Sequence, residues 1–344
     1  MNIWQRYSIR SFLSKPLVSG VVFSLMLLVS AGLSVCFGST DISLAEAVRA
    51  AIQRDWANTA LRIMVYARFP RVLGAMLSGG ALAVAGVLIQ AVLNNPMAAP
   101  NIIGVNAGGG LVAILVIALF PSAIAWMPLG AFLGAMGACL CIYAIAVRTG
   151  GGCNRITLVG IAISSILTAG INVMKTLFPD TIYNANTFLV GGLQGISFER
   201  LSPAWMIILA GLLLALLLTR DIDVLSLGGD IAASLGMQVG TMRFLLLALA
   251  SALAGSAVSF AGLLGFVGLL VPHMARRLVG NNHRRLIPVA AAGGAILVLL
   301  CDLLCRVLFA PYEIPVGILL SFIGGPFFIL LILLQRKNEI HDNS

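Results

Sequence analysis

Ten apolar runs, separated by short polar segments, make up most of this chain. A helix needs roughly 20 apolar residues to cross the hydrocarbon core of a bilayer, and most of the runs approach that length. The third and the eighth are shorter and rich in glycine. The pattern predicts an all-α polytopic membrane protein with about ten transmembrane helices. The predicted spans are residues 17–37, 72–93, 107–121, 127–147, 156–178, 203–219, 243–261, 263–279, 286–308 and 315–334.

The composition agrees with this pattern and excludes a soluble globular protein. Of the 344 residues, 60% are hydrophobic and only 10% are charged, and the mean hydropathy is +1.05. Soluble domains carry about 25% charged residues. We therefore expect residues 1–344 to form a single transmembrane domain.

The distribution of basic residues predicts the orientation in the membrane. The net charge of +9 is divided among the segments between the apolar runs, which argues against a nucleic-acid-binding face. With the N-terminus inside, 13 of the 21 basic residues fall in inner segments, so both termini are predicted to be cytoplasmic. Residues 1–16 would form a cytoplasmic N-terminal segment and 335–344 a cytoplasmic tail, in a protein of the cytoplasmic (inner) membrane. The 13 inner residues are Arg6, Arg10, Lys15, Arg148, Arg155, Arg220, Arg243, Arg276, Arg277, Arg284, Arg285, Arg336 and Lys337.

The start of the chain resembles a secretory signal peptide only in part. Basic residues precede the first apolar run, but that run has no clear small-residue cleavage site and many more runs follow. We expect an uncleaved first helix.

The residue inventory argues against an enzyme. The dipeptide Gly-Lys of a phosphate-binding Walker A loop does not occur, and neither does a His-Glu-x-x-His zinc helix. The six cysteines lie mostly within apolar runs with no histidine or acidic cluster beside them, as small buried side chains do. We expect no catalytic residue, no metal site and no cofactor bound by this chain.

The two ends of the second run carry contrasting polar segments. Arg68-Phe-Pro-Arg71 precedes the run, and Asn95-Pro-Met-Ala-Ala-Pro100 follows it. Positive charge beside hydrocarbon is costly, so the arginines are expected at the water interface with a partner. The helix-breaking turn cannot leave its backbone unsatisfied in lipid, so it should line a cavity or end the helix in water. A docking edge at one end and a pathway end at the other are typical of a transporter.

Asp302 and Arg306 lie four residues apart on the ninth predicted helix and share one face. Two hypotheses follow. Either the two residues pair inside the chain, or Arg306 points outward near Arg68 and Arg71 and receives a carboxylate from a soluble partner. A guanidinium suits bidentate capture of a carboxylate at a wet interface.

Two predicted inner segments could contact a cytoplasmic motor subunit. Residues 225–236 are short and amphipathic, and residues 271–285 are strongly basic. Solvated loops that obey the positive-inside rule would look the same.

Several separated motifs resemble those of the permease subunits of type II ABC importers for iron-siderophores, haem and cobalamin. The resemblance covers about residues 60–335 and depends on the order and spacing of the motifs. The motifs are Arg68-Phe-Pro-Arg71, Gly86-Val-Leu-Ile-Gln90, Asn95-Pro-Met-Ala-Ala-Pro100, Gly104-Val-Asn106-Ala-Gly108, Leu225-Ser-Leu-Gly228 with Leu235-Gly236, Gly265-Phe-Val-Gly-Leu-Leu-Val-Pro272-His273-Met-Ala-Arg276, and Glu313-Ile-Pro315-Val-Gly317.

The resemblance implies a ten-helix permease that pairs with a second, identical or homologous permease subunit around the substrate path. It also implies two cytoplasmic ATPase subunits, which bind the ATP, and a periplasmic or lipid-anchored substrate-binding protein. An iron-siderophore or a related iron chelate would cross by alternating access between the two permeases.

The resemblance also implies roles for individual residues. Docking of the binding protein is expected at Arg68, Arg71 and Arg306. The inner gate is expected at Asn95, Met97, Cys153 and Asn154. Coupling to the ATPases is expected at Leu227, Gly228, Leu235, Gly236, Pro272, His273, Arg276, Arg277, His283 and Arg284. The chain departs from the family pattern at Asn282, where an acidic residue is usual, so one salt bridge of that loop is expected to be missing.

Two alternatives stay open. Haem or cobalamin could be the cargo of the same kind of permease. An ion-coupled secondary transporter would normally have ionisable groups near the membrane midplane. The runs offer almost none, since Lys175 and Asp302 fall near outer ends.

Overall fold

The structure, a computed structural model, describes residues 16–40, 42–150, 152–179 and 181–342. This part of the chain is helical and contains no strand. Its α-helices are α1 (Pro16–Cys36), α2 (Leu44–Gln53), α3 (Thr59–Ile63), α4 (Phe69–Leu93), α5 (Val105–Leu119), α6 (Met127–Arg148), α7 (Cys153–Leu177), α8 (Thr181–Val190), α9 (Phe198–Leu217), α10 (Thr219–Leu225), α11 (Gly229–Ser234), α12 (Val239–Ala261), α13 (Val267–Val279), α14 (His283–Val307) and α15 (Val316–Asp342). We call the end of the bundle at which α1 ends the outer end and the opposite end the inner end, following the predicted orientation.

The predicted spans agree closely with the observed helices. Within the described residues, seven helices are long and apolar enough to cross a membrane, and α5 and the segment Val316–Leu331 of α15 are shorter apolar helices. One π-turn, Met64–Arg68, joins α3 to α4 into a continuous helix of 35 residues. The predicted N-terminal segment 1–16 lies outside the described residues except for Pro16. The predicted tail begins inside a helix, because α15 continues to Asp342.

The eighth predicted span, residues 263–279, differs from the structure. Its helix, α13, has only 13 residues, which corresponds to about 20 Å and is too short for a bilayer core of about 30 Å. Residues 262–266 are irregular, and Phe266 adopts a left-handed conformation with φ of 63°. Gly268 packs against Gly86, only seven residues before the inner end of α4. α13 is therefore a half-helix that begins inside the bundle, a case that periodicity could not separate from a full span.

The centre of the bundle is α4, and glycines let its neighbours approach it. A Cβ atom on Gly79 would lie 2.2 Å from the carbonyl oxygen of Gly294, and a Cβ on Gly86 would lie 1.9 Å from that of Gly268. Neither distance is sterically possible, so α4 contacts α14 and α13 backbone to backbone. The small residues of the sequence therefore serve close helix packing.

The segment between α1 and α4 contains a short helix that the apolar pattern did not predict. Ser43 caps the start of α2, and its side chain accepts a hydrogen bond from the amide of Glu46 at 3.3 Å. It ends at Arg54, which is left-handed. Ala47 of α2 packs with Ala60, Met64 and Val35, so α2 rests on α3 and on the last turn of α1.

Candidate functional site at the two ends of the bundle

Arg71 links three elements at the outer end. Its Nε donates to both carboxylate oxygens of Asp302, at 3.1 and 3.0 Å, and its Nη2 donates to Oδ1 at 3.0 Å. Its Nη1 donates to Oε2 of Glu313 at 2.7 Å. Asp302 is only 1% exposed. The guanidinium therefore ties α4 to α14 and to the loop before α15.

Arg306 and Arg68 bind the outer end of α1. Arg306 Nε lies 3.1 Å from Oδ2 of Asp302, and its Nη2 donates to the Ser34 hydroxyl at 2.6 Å. Arg68 donates to the carbonyls of Val35 and Cys36, both at 2.7 Å. The last carbonyls of a helix have no partner within the helix. The two buried arginines satisfy these groups at the end of α1.

These contacts decide between the two hypotheses for Asp302 only in part. The structure shows the internal pair of Asp302 and Arg306. Arg68 and Arg306 are 4% and 2% exposed, and the guanidinium of Arg71 is also largely covered. The docking role of the three arginines stays a prediction, and a partner carboxylate would have to displace contacts already present in this chain.

Glu313 is the more accessible acid of this cluster. The Ser39 hydroxyl donates to its Oε1 at 2.6 Å, and Arg71 binds its other oxygen. Burial raises the pKa of the Glu313 carboxyl, but the hydrogen bonds from Ser39 and Arg71 outweigh it, so the pKa lies below its ordinary value. Glu313 is therefore ionised at neutral pH.

At the inner end, the predicted gate residues lie at the turn that follows α4. Asn94 ends the helix in a left-handed conformation, and the Asn95 side chain accepts a hydrogen bond from the amide of Met97 at 2.9 Å. Cys153, at the start of α7, donates to the carbonyl of Val92 at 3.4 Å. The structure therefore brings Cys153 to the end of α4, whereas Asn154 is exposed beside it.

Arg243 also lies in this region. The sequence placed it in an inner segment but predicted no role for it at a site. Its Nη2 lies 3.3 Å from the Cys153 sulfur. A Cβ atom on Gly229 would lie 3.0 Å from the same nitrogen. Arg243 therefore lies between the start of α7 and the start of α11, a contact between segments far apart in the sequence.

The sequence motif that ends in Gln90 supplies a second missed residue. Gln90 is buried, and its Nε2 donates to the carbonyls of Ala98 at 3.2 Å and Gly268 at 3.4 Å. Its Oε1 accepts a hydrogen bond from Arg276. The buried position of a polar amide in an apolar helix is the signal that could have singled it out.

The predicted coupling segment between α9 and α12 exposes an apolar face. Leu227, Ile231 and Leu235 are each more than half exposed. Ile231 and Leu235 lie four residues apart on one side of α11, and Leu227 lies in the turn before it; we call these three residues the exposed face of α11. Gly228 and Gly236, with φ of 113° and 86°, form the turns on either side. The short amphipathic segment predicted from the sequence is therefore present as a helix with an uncovered face.

The second predicted coupling segment is partly accessible. Arg277 and Arg284 are exposed, His273 is half-buried, and Pro272 and His283 are buried. His283 Nδ1 lies 2.6 Å from Oδ1 of Asp223 on α10. The buried Pro272 and His283 therefore position this segment instead of forming its surface.

Asn282 takes a structural role in that segment. Its side chain accepts a hydrogen bond from the amide of Arg284 at 3.1 Å and caps the start of α14. This agrees with the preference for asparagine at the N-cap.

One face of α7 is polar within an otherwise apolar surface. Ser165, Thr168, Asn172 and Thr176 are exposed, and their spacings of three, four and four residues place them along one stripe. The serine and threonine hydroxyls donate to carbonyls one turn earlier, at 2.7–2.9 Å. The Asn172 amide is costly to expose to hydrocarbon, so this stripe is suited to an aqueous surface.

Among the described residues, no group of three or more histidine, cysteine or acidic side chains could hold a metal ion. The six cysteines form no disulfide there.

A family model describing the FecCD transport family matches residues 26–334, which is most of the chain. The chain belongs to the FecCD transport family. The family identified from the sequence motifs is thereby confirmed.

Several permease proteins match most of the chain. The sequence is 36% identical to the Fe(3+)-citrate import system permease protein YfmE of Bacillus subtilis (strain 168) over 328 residues, which is 94% of this chain and 97% of that protein. It is 37% identical to the Fe(3+) dicitrate transport system permease protein FecD of Escherichia coli (strain K12), covering 83% of this chain and 90% of that protein. It is 38% identical to the hemin transport system permease protein HmuU of Yersinia pestis, covering 79% and 83%.

The fold is also similar to that of a solved transporter. The TM-score is 0.77 to an inward-facing conformation of a metal-chelate type ABC transporter, with 28% sequence identity over 91% of this chain and 98% of that chain. The predicted all-α permease fold is confirmed by this similarity.

Proposed function

We propose that this FecCD-family protein is the membrane-spanning permease subunit of an ATP-driven importer that carries an iron-siderophore or a related iron chelate. The observation that carries the proposal is the match of 36% identity over 97% of a ferric citrate permease, together with other iron-chelate permeases of similar identity. The chain would supply the path, and separate subunits would hydrolyse the ATP.

The polar stripe of α7 supports a path between two permease subunits. α7 is long and apolar enough to cross a membrane, but only 17% of its most apolar 18-residue stretch is buried within this chain. A stripe of hydroxyl and amide groups on such a helix is accommodated by water or by a hydrophilic substrate, not by lipid. A second permease subunit, identical or homologous, would enclose the stripe.

The exposed face of α11 supports contact with a cytoplasmic ATPase. Leu227, Ile231 and Leu235 project from a polar inner loop, where exposed leucines have no lipid to bury them. ATP binding and hydrolysis would move these contacts, and the movement would open the path to one side at a time. A substrate-binding protein would deliver the cargo at the outer end. With the binding protein at the outer end, both chain termini would lie on the cytoplasmic side.

Uptake of labelled iron chelates by cells tests this function. The panel contains ferric citrate, ferric hydroxamate and catecholate siderophores, haem and cobalamin, and it compares the wild-type strain with a deletion strain and a complemented strain. We expect the deletion to abolish uptake of one ferric chelate and the complementation to restore it. Loss of haem or cobalamin uptake alone would instead assign the cargo to that alternative.

Two further arms separate this mechanism from others. Inactivating the ATPase partner should stop uptake even when the proton gradient is intact, whereas an ion-coupled transporter would continue. Asn172→Leu should lower uptake through loss of the polar path. The neighbouring Val173→Leu, at an apolar position that is also exposed, is the matched control and should leave uptake unchanged.

A further inference from the structure

α2 has an exposed apolar flank that neither its packing in this chain nor the proposed transport function explains. Leu44, Val48 and Ile52 are exposed, and Ile52 is 77% exposed. At about 100° per residue, the three fall within one arc of about 80°. Trp56, just after the helix, is 62% exposed.

The other two sides of α2 are accounted for. Ala47 and Ala50 face the protein and are buried. Glu46 and Gln53 lie on a third side, about 100–180° from the three apolar residues, and Arg49 lies at the edge of that side. α2 therefore has a protein-facing side, an apolar flank and a polar flank, which is the arrangement of a helix that lies in a membrane interface.

The depth of α2 identifies what covers the apolar flank. Ala47 belongs to a cluster against which Val35 packs, and Val35 lies in the last turn of the membrane helix α1. The chain returns into the membrane a few residues later, through α3 and α4. α2 is thus level with the point at which α1 leaves the hydrocarbon core.

We propose that the apolar flank of α2 lies in the outer leaflet of the bilayer, at the boundary between acyl chains and headgroups. Leu44, Val48 and Ile52 enter the acyl region, and the Trp56 ring lies at headgroup level, where tryptophan is enriched. Arg54 and Arg62, which are exposed nearby, are available to lipid phosphates. The partner is a lipid surface, and the helix anchors the outer end of the bundle in it.

Lipid quenching of tryptophan fluorescence tests this placement. The full-length permease is reconstituted in lipid nanodiscs with Trp56 as the only tryptophan, after Trp4, Trp126 and Trp205 are replaced by phenylalanine. Phosphatidylcholine brominated near the carbonyl end of its chains should reduce Trp56 emission by roughly twofold, and iodide in the buffer should quench Trp56 less than it quenches a tryptophan that faces water. The matched control, Gln53→Trp with Trp56→Phe, places the probe on the polar flank and should give the opposite result.

Two results would overturn the proposal. Trp56 emission quenched by iodide but not by brominated lipid would show that the flank faces water. Lipid quenching that disappears when the substrate-binding protein is added would show that the flank is a protein-docking surface.

A second inference comes from the contacts of Gln90. Its amide joins the carbonyl of Ala98, in the predicted gate turn, to the carbonyl of Gly268 and to Arg276 on α13. Gln90 is 3% exposed, so water does not compete for these bonds. Gly268 and Arg276 both belong to α13, and Ala98 belongs to the gate turn, so Gln90 joins α4, α13 and that turn at one point.

The geometry points to Gln90 as a positioning residue that transmits movement of α13 to the gate turn. This rests on the proposed coupling of α13 to an ATPase. A displacement of Arg276 pulls on Oε1 of the amide, and Nε2 of the same rigid group pulls on Ala98. Because the amide is planar and buried, the two ends cannot move independently without losing a hydrogen bond.

The test measures uptake and ATP hydrolysis together in the reconstituted complex of both permease subunits, the ATPases and the binding protein. Gln90→Glu retains an acceptor for Arg276 but loses the donors to Ala98 and Gly268. We expect chelate uptake per ATP hydrolysed to fall by about fivefold to tenfold, with hydrolysis continuing. Gln90→Leu, which loses all three bonds, should uncouple at least as strongly. Ser78→Ala is the matched control, because Ser78 is a buried polar residue of the same helix that bonds only to its own turn.

The readouts separate the possible failures. An unchanged ratio of uptake to hydrolysis in Gln90→Glu would overturn the inference. A lower amount of folded complex with a normal ratio would show a purely structural role and would overturn it as well. If the wild-type complex shows no ATP-driven uptake at all, the proposed function fails independently of Gln90.

Discussion

Arg71 on α4 and Asp302 on α14 form a forked ion pair with three contacts of 3.0–3.1 Å, although 231 residues separate them in the sequence. Asp302 also pairs with Arg306, and Arg71 also pairs with Glu313. A buried carboxylate between two guanidinium groups is satisfied on both oxygens. This arrangement joins the outer ends of α4 and α14.

Replacing Asp302 by asparagine should destabilise the permease strongly. The change leaves the buried guanidinium of Arg306 without its charged partner. It also removes one of the two carboxylates that pair with Arg71. Removing one member of a buried ion pair typically costs about 3–5 kcal/mol. Thermal unfolding of the purified protein in detergent measures the effect, and Asp230→Asn, at an exposed carboxylate, should change little. Equal stability of the two variants would contradict the structural role of the cluster.

The stability of the outer end should fall in acid because of Glu313. Its pKa is lower in the folded protein than in the unfolded chain, so the ionised form stabilises the fold above the unfolded value of about 4.5. That contribution is lost as the pH falls through the lower, folded pKa. We expect the unfolding midpoint of the wild type to approach that of Glu313→Gln as the pH decreases from about 6 to about 3. A constant difference between the two proteins across this range would refute the assignment.

Gly86→Ala should disrupt the contact of α4 with α13. The added Cβ atom would overlap the Gly268 carbonyl, so the helices must separate, and overpacking of this kind typically costs about 1–3 kcal/mol. Gly137→Ala is the control, since no atom lies within 4 Å of a Cβ atom there. Protease resistance and thermal unfolding compare the variants. If both variants behaved like the wild type, the close contact between α4 and α13 at Gly86 would be refuted.

Charging the exposed face of α11 should weaken binding of the ATPase. Leu227→Asp together with Leu235→Asp places two carboxylates where apolar contact is proposed, and at least a tenfold loss of affinity corresponds to about 1.4 kcal/mol. The permease alone should remain equally stable, since both side chains are exposed. Co-purification with the ATPase subunits measures the loss. Leu308→Asp, at a comparably exposed leucine of the outer end, is the control, and equal co-purification of all three proteins would exclude this face as the contact.

The fold class, most of the helices and the family follow from the amino-acid sequence alone. Apolar runs of membrane length leave few alternatives, because a backbone in hydrocarbon must form helices or closed barrels. The limits of α7 and α12, for example, lie within four residues of the predicted spans. The ordered motifs then identified the family that the comparisons confirmed.

The contacts of the polar residues could be assigned only from the folded protein. Spacing showed that Asp302 and Arg306 share a helix face, but it could not show that Arg71 reaches the same carboxylate from α4 or that Arg68 and Arg306 bind the end of α1. The spacing of residues likewise could not show that α13 is a half-helix or which groups Gln90 contacts. An apolar run defines a helix through local periodicity, whereas ion pairs, hydrogen bonds and backbone contacts between helices depend on which segments meet in space. The packing of the whole bundle determines which segments are in contact.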